Sequence, residues 1–393
     1  MGKVVLSLGM GVDSVGILTR WLLEPETRFF DLEDLVVLTA QVGAEFQSTA
    51  DHMEQFVLPL MREHSVRYVQ LARGGQEAHH RYVVLNDSTN PKRMHMSGPW
   101  TLTDYQLDIG SVPQFAHGKR DCTQKAKGEP QDWWKKDHLG DEAHVHVLGF
   151  SSEEGRRILR DSSYLTDHRS ARFPLAEWAW TRQDTIGYLH EVFGVIWPRS
   201  CCVYCPFARS DGEHLASRWR QQPEGAALAL EMERRSLALN PRGRLFAKES
   251  ALQFAIDHQL TEALALSEHR IRTSPWAVYD VRRIYFAKKD PANPNKAIPT
   301  KKGHAYRSVQ TLFEGGRDQL LGRLKGIARS EKISLVHDPS GVAWAHLRVP
   351  STELYPTVQQ LYALGPAGIS DKRRKAFAGA WSELVDQTQL FAA

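Results

Sequence analysis

The residues of this chain that could do chemistry fall into two sets. In the first, Cys202-Val203-Tyr204-Cys205-Pro206 is a Cys-x-x-Cys preceded directly by Cys201, so three of the four cysteines crowd into five residues, with Cys122 far upstream. A thiolate is a nucleophile, a redox group and a soft metal ligand, so this spacing suits disulfide exchange, zinc or iron–sulfur chemistry. Thioredoxin-type exchange is disfavoured, because the pair follows a helical stretch and a Pro-Arg-Ser turn, not a first strand. Zinc wants four tetrahedral ligands, adjacent Cys201 and Cys202 seldom both reach one ion, and no His is close by in sequence. Three thiolates, Cys122, Cys202 and Cys205, suit a [4Fe–4S] cluster with one iron left open, and Cys201 is then structural. Buried structural cysteines are the plainer alternative.

The second set is the amino end, Ser7-Leu8-Gly9-Met10-Gly11-Val12-Asp13-Ser14. Residues 4–6 read as a short buried strand, and Val15, Leu18 and Leu22 recur at helical spacing. Strand, glycine turn and hydroxyl-bearing helix start describe a phosphate cradle, because glycine permits close backbone approach and a helix start attracts anions. There is no Gly-x-x-x-x-Gly-Lys-[Ser/Thr], and Gly9-x-Gly11 lacks a third glycine at position 14, so Walker and dinucleotide cradles are excluded.

What remains resembles the PP-loop of ATP pyrophosphatases, in a variant associated with phage-type and bacterial proteins similar to PAPS reductase. The family's usual Ser-Gly-Gly-x-Asp-Ser carries Gly9 and Met10 at its first two positions here. The resemblance extends to Lys119-Arg120-Asp121-Cys122-Thr123 with Lys127 and Pro130, to Gly149-Phe150-Ser151 with Glu153, Glu154 and Arg157, and to Pro174-Leu175 and Thr181-Arg182-Gln183-Asp184. It closes on Ser200-Cys201-Cys202-Val203-Tyr204-Cys205-Pro206-Phe207. These motifs stand in family order over residues 3–207, about half the chain. Two departures matter. The family's Asp-Thr-Gly-x-Glu reads Gln41-Val42-Gly43-Ala44-Glu45, without the Asp. No cysteine follows Cys205, so reduction of sulfate nucleotides is not expected.

The resemblance implies ATP cleaved between its α- and β-phosphates to adenylate an acceptor, then sulfur insertion through the cluster. Ser7, Gly9, Gly11, Val12, Asp13 and Ser14, with Gly43 and Glu45, then belong to the nucleotide site. Asp13 would help position Mg²⁺, and Arg120, Lys127 and Arg157 would balance phosphate charge as pyrophosphate leaves. Arg156 reads as a surface ion-pair residue. His79, His80, His144 and His146 are not taken as ligands, and alternating His144 and His146 read as solvent-facing at a strand's edge.

These groups need a scaffold. An apolar run at 35–40 and further strands at 66–71 and 145–150, with helical periodicity between, predict an α/β fold with a doubly wound, mostly parallel sheet. The resemblance narrows this to the adenine nucleotide alpha hydrolase-like (HUP) type, with an α+β extension at the carboxyl end. Residues 74–120 read as a long excursion, a lid over the site. Helices are expected at 226–239 and 252–267, strands at 333–336 and 342–349, and a last helix around Phe377, Trp381 and Leu384. The expected domains are 1–210 (PP-loop and cysteines), 211–269 (helical) and 270–393 (basic α+β).

Hydrophobic residues make up 42% and charged residues 24%, as in an ordinary globular protein. No apolar run reaches membrane-spanning length and no leader pattern opens the chain, so a cytoplasmic protein without a membrane partner is expected. Net charge is +4, yet residues 270–332 hold fifteen Lys/Arg against five Asp/Glu, or +10, leaving the remainder net acidic. Trp276, Tyr279, Tyr285, Phe286, Tyr306 and Phe313 interleave those cations, a composition suited to nucleic acid or to a solvated face over core aromatics. Within the resembled families, the sulfur-inserting subunit of bacterial DNA phosphorothioation systems fits best. DNA is then the expected partner ahead of tRNA, with a cysteine desulfurase as sulfur donor and a homodimer possible. The alternatives are tRNA or nucleobase thiolation, and an ATP-sensing module that does not turn ATP over.

Overall fold

Strand β1 (Val4–Ser7) is apolar on both sides because it is covered on both faces, as central parallel strands are. It lies between β2 (Leu35–Gln41) and β5 (His144–Val147), parallel to each. Strands β3 (Arg67–Arg73), β4 (Tyr82–Ser88) and β6 (Arg169–Arg172) complete a six-stranded sheet in the order β4-β3-β2-β1-β5-β6. Only β4, at the edge, runs antiparallel. The computed structural model describes residues 2–113, 115–116 and 119–390, and Gln114, His117 and Gly118 of the expected lid lie outside them.

Alternation in β1 assigns the two faces. Val4 and Leu6 join α1 (Val12–Leu23) through Val15, Leu18 and Trp21, with Leu189 of α4 (Arg182–Phe193). Val5 joins Val36, Val69 and Trp134 of α2 (Glu129–Leu139) on the other face. The order reverses between β1 and β5, and ligands of open parallel sheets sit beyond the strand ends at such a switch point. The α/β class and mostly parallel sheet expected from sequence are present.

The chain divides into two compact units, Met1–Tyr105 with Pro113–Ala208, and Gln106–Val112 with Arg209–Ala393. The second carries an antiparallel sheet of β7 (Trp276–Lys289), β8 (Ala297–Gly315), β9 (Leu335–His337), β10 (Ala343–Arg348) and β11 (Thr357–Pro366), in the order β8-β7-β11-β10-β9. One face packs on α6 (Pro223–Leu239) through Tyr279, Trp344 and Leu361, the other on α8 (Arg317–Ser330) through Trp276, Val278 and Leu324. Gln106–Val112 belongs here because Arg307 Nη2 donates to Ile109 O at 2.8 Å and Ser370 N to Asp108 O at 2.8 Å.

Several expectations need correction. The 74–120 excursion is not without structure, since it supplies edge strand β4 and a helix at Leu102–Asp108. The helix expected over 252–267 is two, Ala251–Asp257 and α7 (Thr261–Thr273), broken where Gln259 takes a φ of 52°. The basic stretch opens on one long hairpin, β7 to β8, where sequence periodicity gave no strands.

Candidate functional site

The turn after β1 is held from three directions. Inside it, Ser14 Oγ accepts the Gly9 N–H at 3.0 Å. Met10 takes a φ of 60°, a left-handed conformation that costs a side chain on the order of 1 kcal/mol. Its buried side chain and its carbonyl, which accepts Trp197 Nε1–H at 3.0 Å, hold it there. Gln41 Nε2 lies 3.8 Å from Met10 Sδ. Met10 and Gln41, which stand where the resembled pattern has glycine and Asp, therefore touch one another, a thioether filling space over an amide.

From the second direction comes the end of β5. A Cβ on Gly149 would lie 2.9 Å from Ser14 N and 3.2 Å from Asp13 Cβ, so only glycine lets this strand end approach the start of α1. Gly11 caps α1 with no side-chain acceptor, and the first helical N–H groups, those of Val12, Asp13 and Ser14, have no intrahelical partner by geometry. Asp13 receives Arg182 Nη1 at 3.3 Å on Oδ2, while Oδ1 is buried without a hydrogen bond. Burial pushes the Asp13 carboxyl above the usual range, against the nearby Arg182 guanidinium. Arg157 is spoken for by Glu154 at 2.5 Å and lies 4.1 Å over the Phe150 ring, close enough to bear on the charge of Asp13.

From the third direction comes the cysteine segment. Ser200 Oγ donates to Gly9 O at 2.7 Å and lies 3.4 Å from Glu45 Oε2. Cys202 pairs as a bridge with Glu45, and Val203 N donates to Ala44 O at 2.8 Å. Sequence reading gave Ser200, Arg182 and Gly149 no individual role. Each stands in a motif that carries the resemblance, but the motifs alone did not fix its contacts: Ser200 directly precedes the cysteine run, Arg182 opens a helix at a Thr181–Asp184 capping box, and Gly149 lies just beyond β5.

Glu45, Arg120, Cys122 and Lys127 line one cavity of about 140 Å³ together with Ser200, Cys201, Cys202 and Cys205. The structure thus brings all four cysteines to one place beside the turn. Glu45 is almost wholly buried and pairs with Lys127 Nζ at 3.2 Å. Burial works to lower the Lys127 pKa, but Glu45 and Cys202 outweigh it and the ammonium is held above its ordinary value. Burial pushes the Cys202 and Cys205 thiols up, Cys202 strongly. The Arg120 guanidinium lies 4.0 Å over the Phe207 ring. The thiols suit a soft metal or an iron–sulfur group in kind. Among the described residues, however, no three His, Cys, Asp or Glu side chains are arranged to hold a metal ion.

Two expected nucleotide residues make other contacts. Gly43 has a φ of 76°, and Thr101 Cγ2 would lie 2.5 Å from a Cβ there, so the close neighbour of this glycine is Thr101. Ser7 Oγ donates to Gln131 Oε1 at 2.5 Å and lies 2.8 Å from His146 Nε2. His146 is not solvent-facing as expected, because β5 is an interior strand of the sheet. Arg169 Nη2 reaches its Nδ1 at 2.8 Å and Asp161 Oδ2 at 3.0 Å. A guanidinium can only donate, so Nδ1 accepts and Nε2 carries the proton shared with Ser7.

Among the described residues, no helix is long and apolar enough to cross a membrane. No protein-family model matches this chain, nor does any curated protein or solved structure.

Proposed function

We propose that this chain is an ATP pyrophosphatase that adenylates an acceptor and exchanges the activated oxygen for sulfur, with DNA the first acceptor to test. The observation that carries the reading is the seating of the cysteine segment on the glycine turn through Ser200 and Gly9. A phosphate-binding turn and a thiol-lined cavity are then neighbours, as activation followed by sulfur attack requires.

In this reading the N–H groups opening α1 bind phosphate oxygens. Asp13, with one oxygen unpartnered, helps hold Mg²⁺. Arg182 and Arg157 lie near Asp13, and Lys127 and Arg120 line the cavity, all suited to charge released as pyrophosphate leaves. Cys122, Cys202 and Cys205 would hold a [4Fe–4S] cluster, which when bound supplies a site for exogenous sulfide delivered by a cysteine desulfurase. The fold would then be of the adenine nucleotide alpha hydrolase-like type.

The test is chromatography of nucleotides after incubation with Mg·ATP and single- or double-stranded DNA. AMP and pyrophosphate are expected. ADP and phosphate would overturn the reading, and tight ATP binding without any cleavage would replace it with an ATP-sensing module.

A further inference from the structure

On the second unit's sheet, the outer half of the β7–β8 hairpin carries three rings on one face. Phe286 and His304 stack with centroids 4.6 Å apart and planes 16° from parallel, and Tyr306 meets Phe286 edge-on at 5.2 Å and lies tilted by 58° to His304 at 5.1 Å. Inward along the same face, Ile284 is covered by Phe377 and Trp381 of α9 (Lys375–Leu390), and half-buried Phe286 packs against the edge of that cluster. The outward rings are open to solvent: His304 is exposed and Tyr306 is 43% exposed.

A run of four cations adjoins it. Lys372 pairs with Val309 on the free edge of β8, with N–H···O bonds of 3.1 Å and 2.9 Å, and Arg373, Arg374 and Lys375 follow, all exposed. Val309 is three residues along β8 from Tyr306, roughly 10 Å. Arg373 is partly engaged by Asp371 at 2.9 Å, an exposed pair that yields readily to a phosphate. Lysines on an edge strand by themselves read as protection against edge-to-edge pairing. That purpose needs charge only, and it is ill served by leaving stacked rings open to solvent.

We propose that Phe286, His304 and Tyr306 with the basic run 372–375 form a binding surface for single-stranded nucleic acid. The rings take an unpaired base and the cations take backbone phosphates, the combination used wherever single strands are bound without a sequence code. The proposal deepens the acceptor reading above and rests on it for the choice of nucleic acid. A duplex keeps its bases stacked on each other and offers the platform no free face.

Fluorescence anisotropy of the full chain, without ATP, with labelled dT20, U20 and a 20-base-pair duplex tests it. Expected is binding of dT20 over duplex. Tyr306→Ala should weaken it by about five- to a hundredfold with little change in salt dependence. Arg374→Ala with Lys375→Ala should lower the slope of log affinity against log salt by about 1.4. Far-UV circular dichroism confirms that each variant is folded. Preference for the duplex, or dT20 affinity indifferent to Tyr306→Ala, overturns the proposal, whereas a ring-dependent preference for U20 keeps the surface and assigns it to RNA. Pyrophosphate release from the same protein preparations after addition of Mg·ATP separates the two readings. Ring-dependent binding without ATP cleavage sinks only the proposed function, and cleavage without ring-dependent binding sinks only this surface.

Discussion

Ser200 Oγ lies 2.7 Å from Gly9 O, joining residues 191 positions apart in the chain. That bond ties the segment bearing three cysteines to the turn that opens α1. Ser200→Ala should lower stability by about 1 kcal/mol. It should reduce pyrophosphate release more than that loss of folded protein explains. Thermal denaturation and a pyrophosphate assay check both, and unchanged turnover would show that the joint does not serve the chemistry.

Glu45 is buried more completely than its partner Lys127, so the two halves of this pair are unequal. Lys127→Ala strands the buried carboxylate and should destabilise by roughly 1–3 kcal/mol in urea denaturation. Adding Glu45→Gln to Lys127→Ala should recover part of that loss, because the remaining amide carries no charge. A double variant no better than Lys127→Ala alone would show that the ion pair is not what makes Glu45 tolerable.

Asp13 is held above its ordinary pKa by burial. A carboxyl raised on folding opposes folding once pH exceeds its unfolded value, so Asp13→Asn should raise the melting temperature at pH 7. The same change should reduce pyrophosphate release by about a hundredfold. Stability gained while activity is lost marks a functional group kept at the fold's expense. A variant that loses stability would argue against it.

His146 is held well below its ordinary 6.5 by burial, helped by the positive charges of Lys135 and Arg169. Unfolded chains take up a proton on this imidazole as pH falls through 6.5, and the folded chain does not. Its contribution is therefore intact above 6.5 and is lost below it, with a slope of up to about 1.4 kcal/mol per pH unit. Urea midpoints at pH 5 and pH 7.5 should differ less in His146→Gln than in the parent. An identical difference would remove His146 as the source.

Cys122, Cys202 and Cys205 line one cavity, and anaerobic purification with iron and acid-labile sulfide assays should find both elements. Cys205→Ser should lower the iron content several-fold while leaving the chain folded. A colourless, zinc-loaded preparation would end the iron–sulfur assignment.

The parallel sheet was legible because buried central strands announce themselves as apolar runs, as residues 35–38 do. The glycine turn was legible for the same local reason. Ser200 was not, since its bond to Gly9 depends on where a distant segment comes to rest. His146 was misread because alternation looks alike on an interior strand with a buried polar relay and on an edge strand facing water. The β7–β8 hairpin hid behind its charges: β8 is an edge strand, so lysines replace the apolar alternation that marks covered strands. Met10 and Gln41 each looked like an isolated departure, and only packing shows them as a matched pair.

Residues Gln106–Val112 are built into the unit formed by the carboxyl-terminal half of the chain. On the ribosome they emerge long before Arg307 or Ser370, whose bonds they complete, so the first sheet must close around a seven-residue stretch whose own neighbours do not yet exist. A gene cut after Ala208 therefore yields one fragment carrying a stray piece of the other's interior, and a second with a gap where Ile109 should accept Arg307. Separate expression of the halves is a poor route to either folded unit, and the intact chain is the form in which the proposed ATP cleavage and strand binding should be assayed.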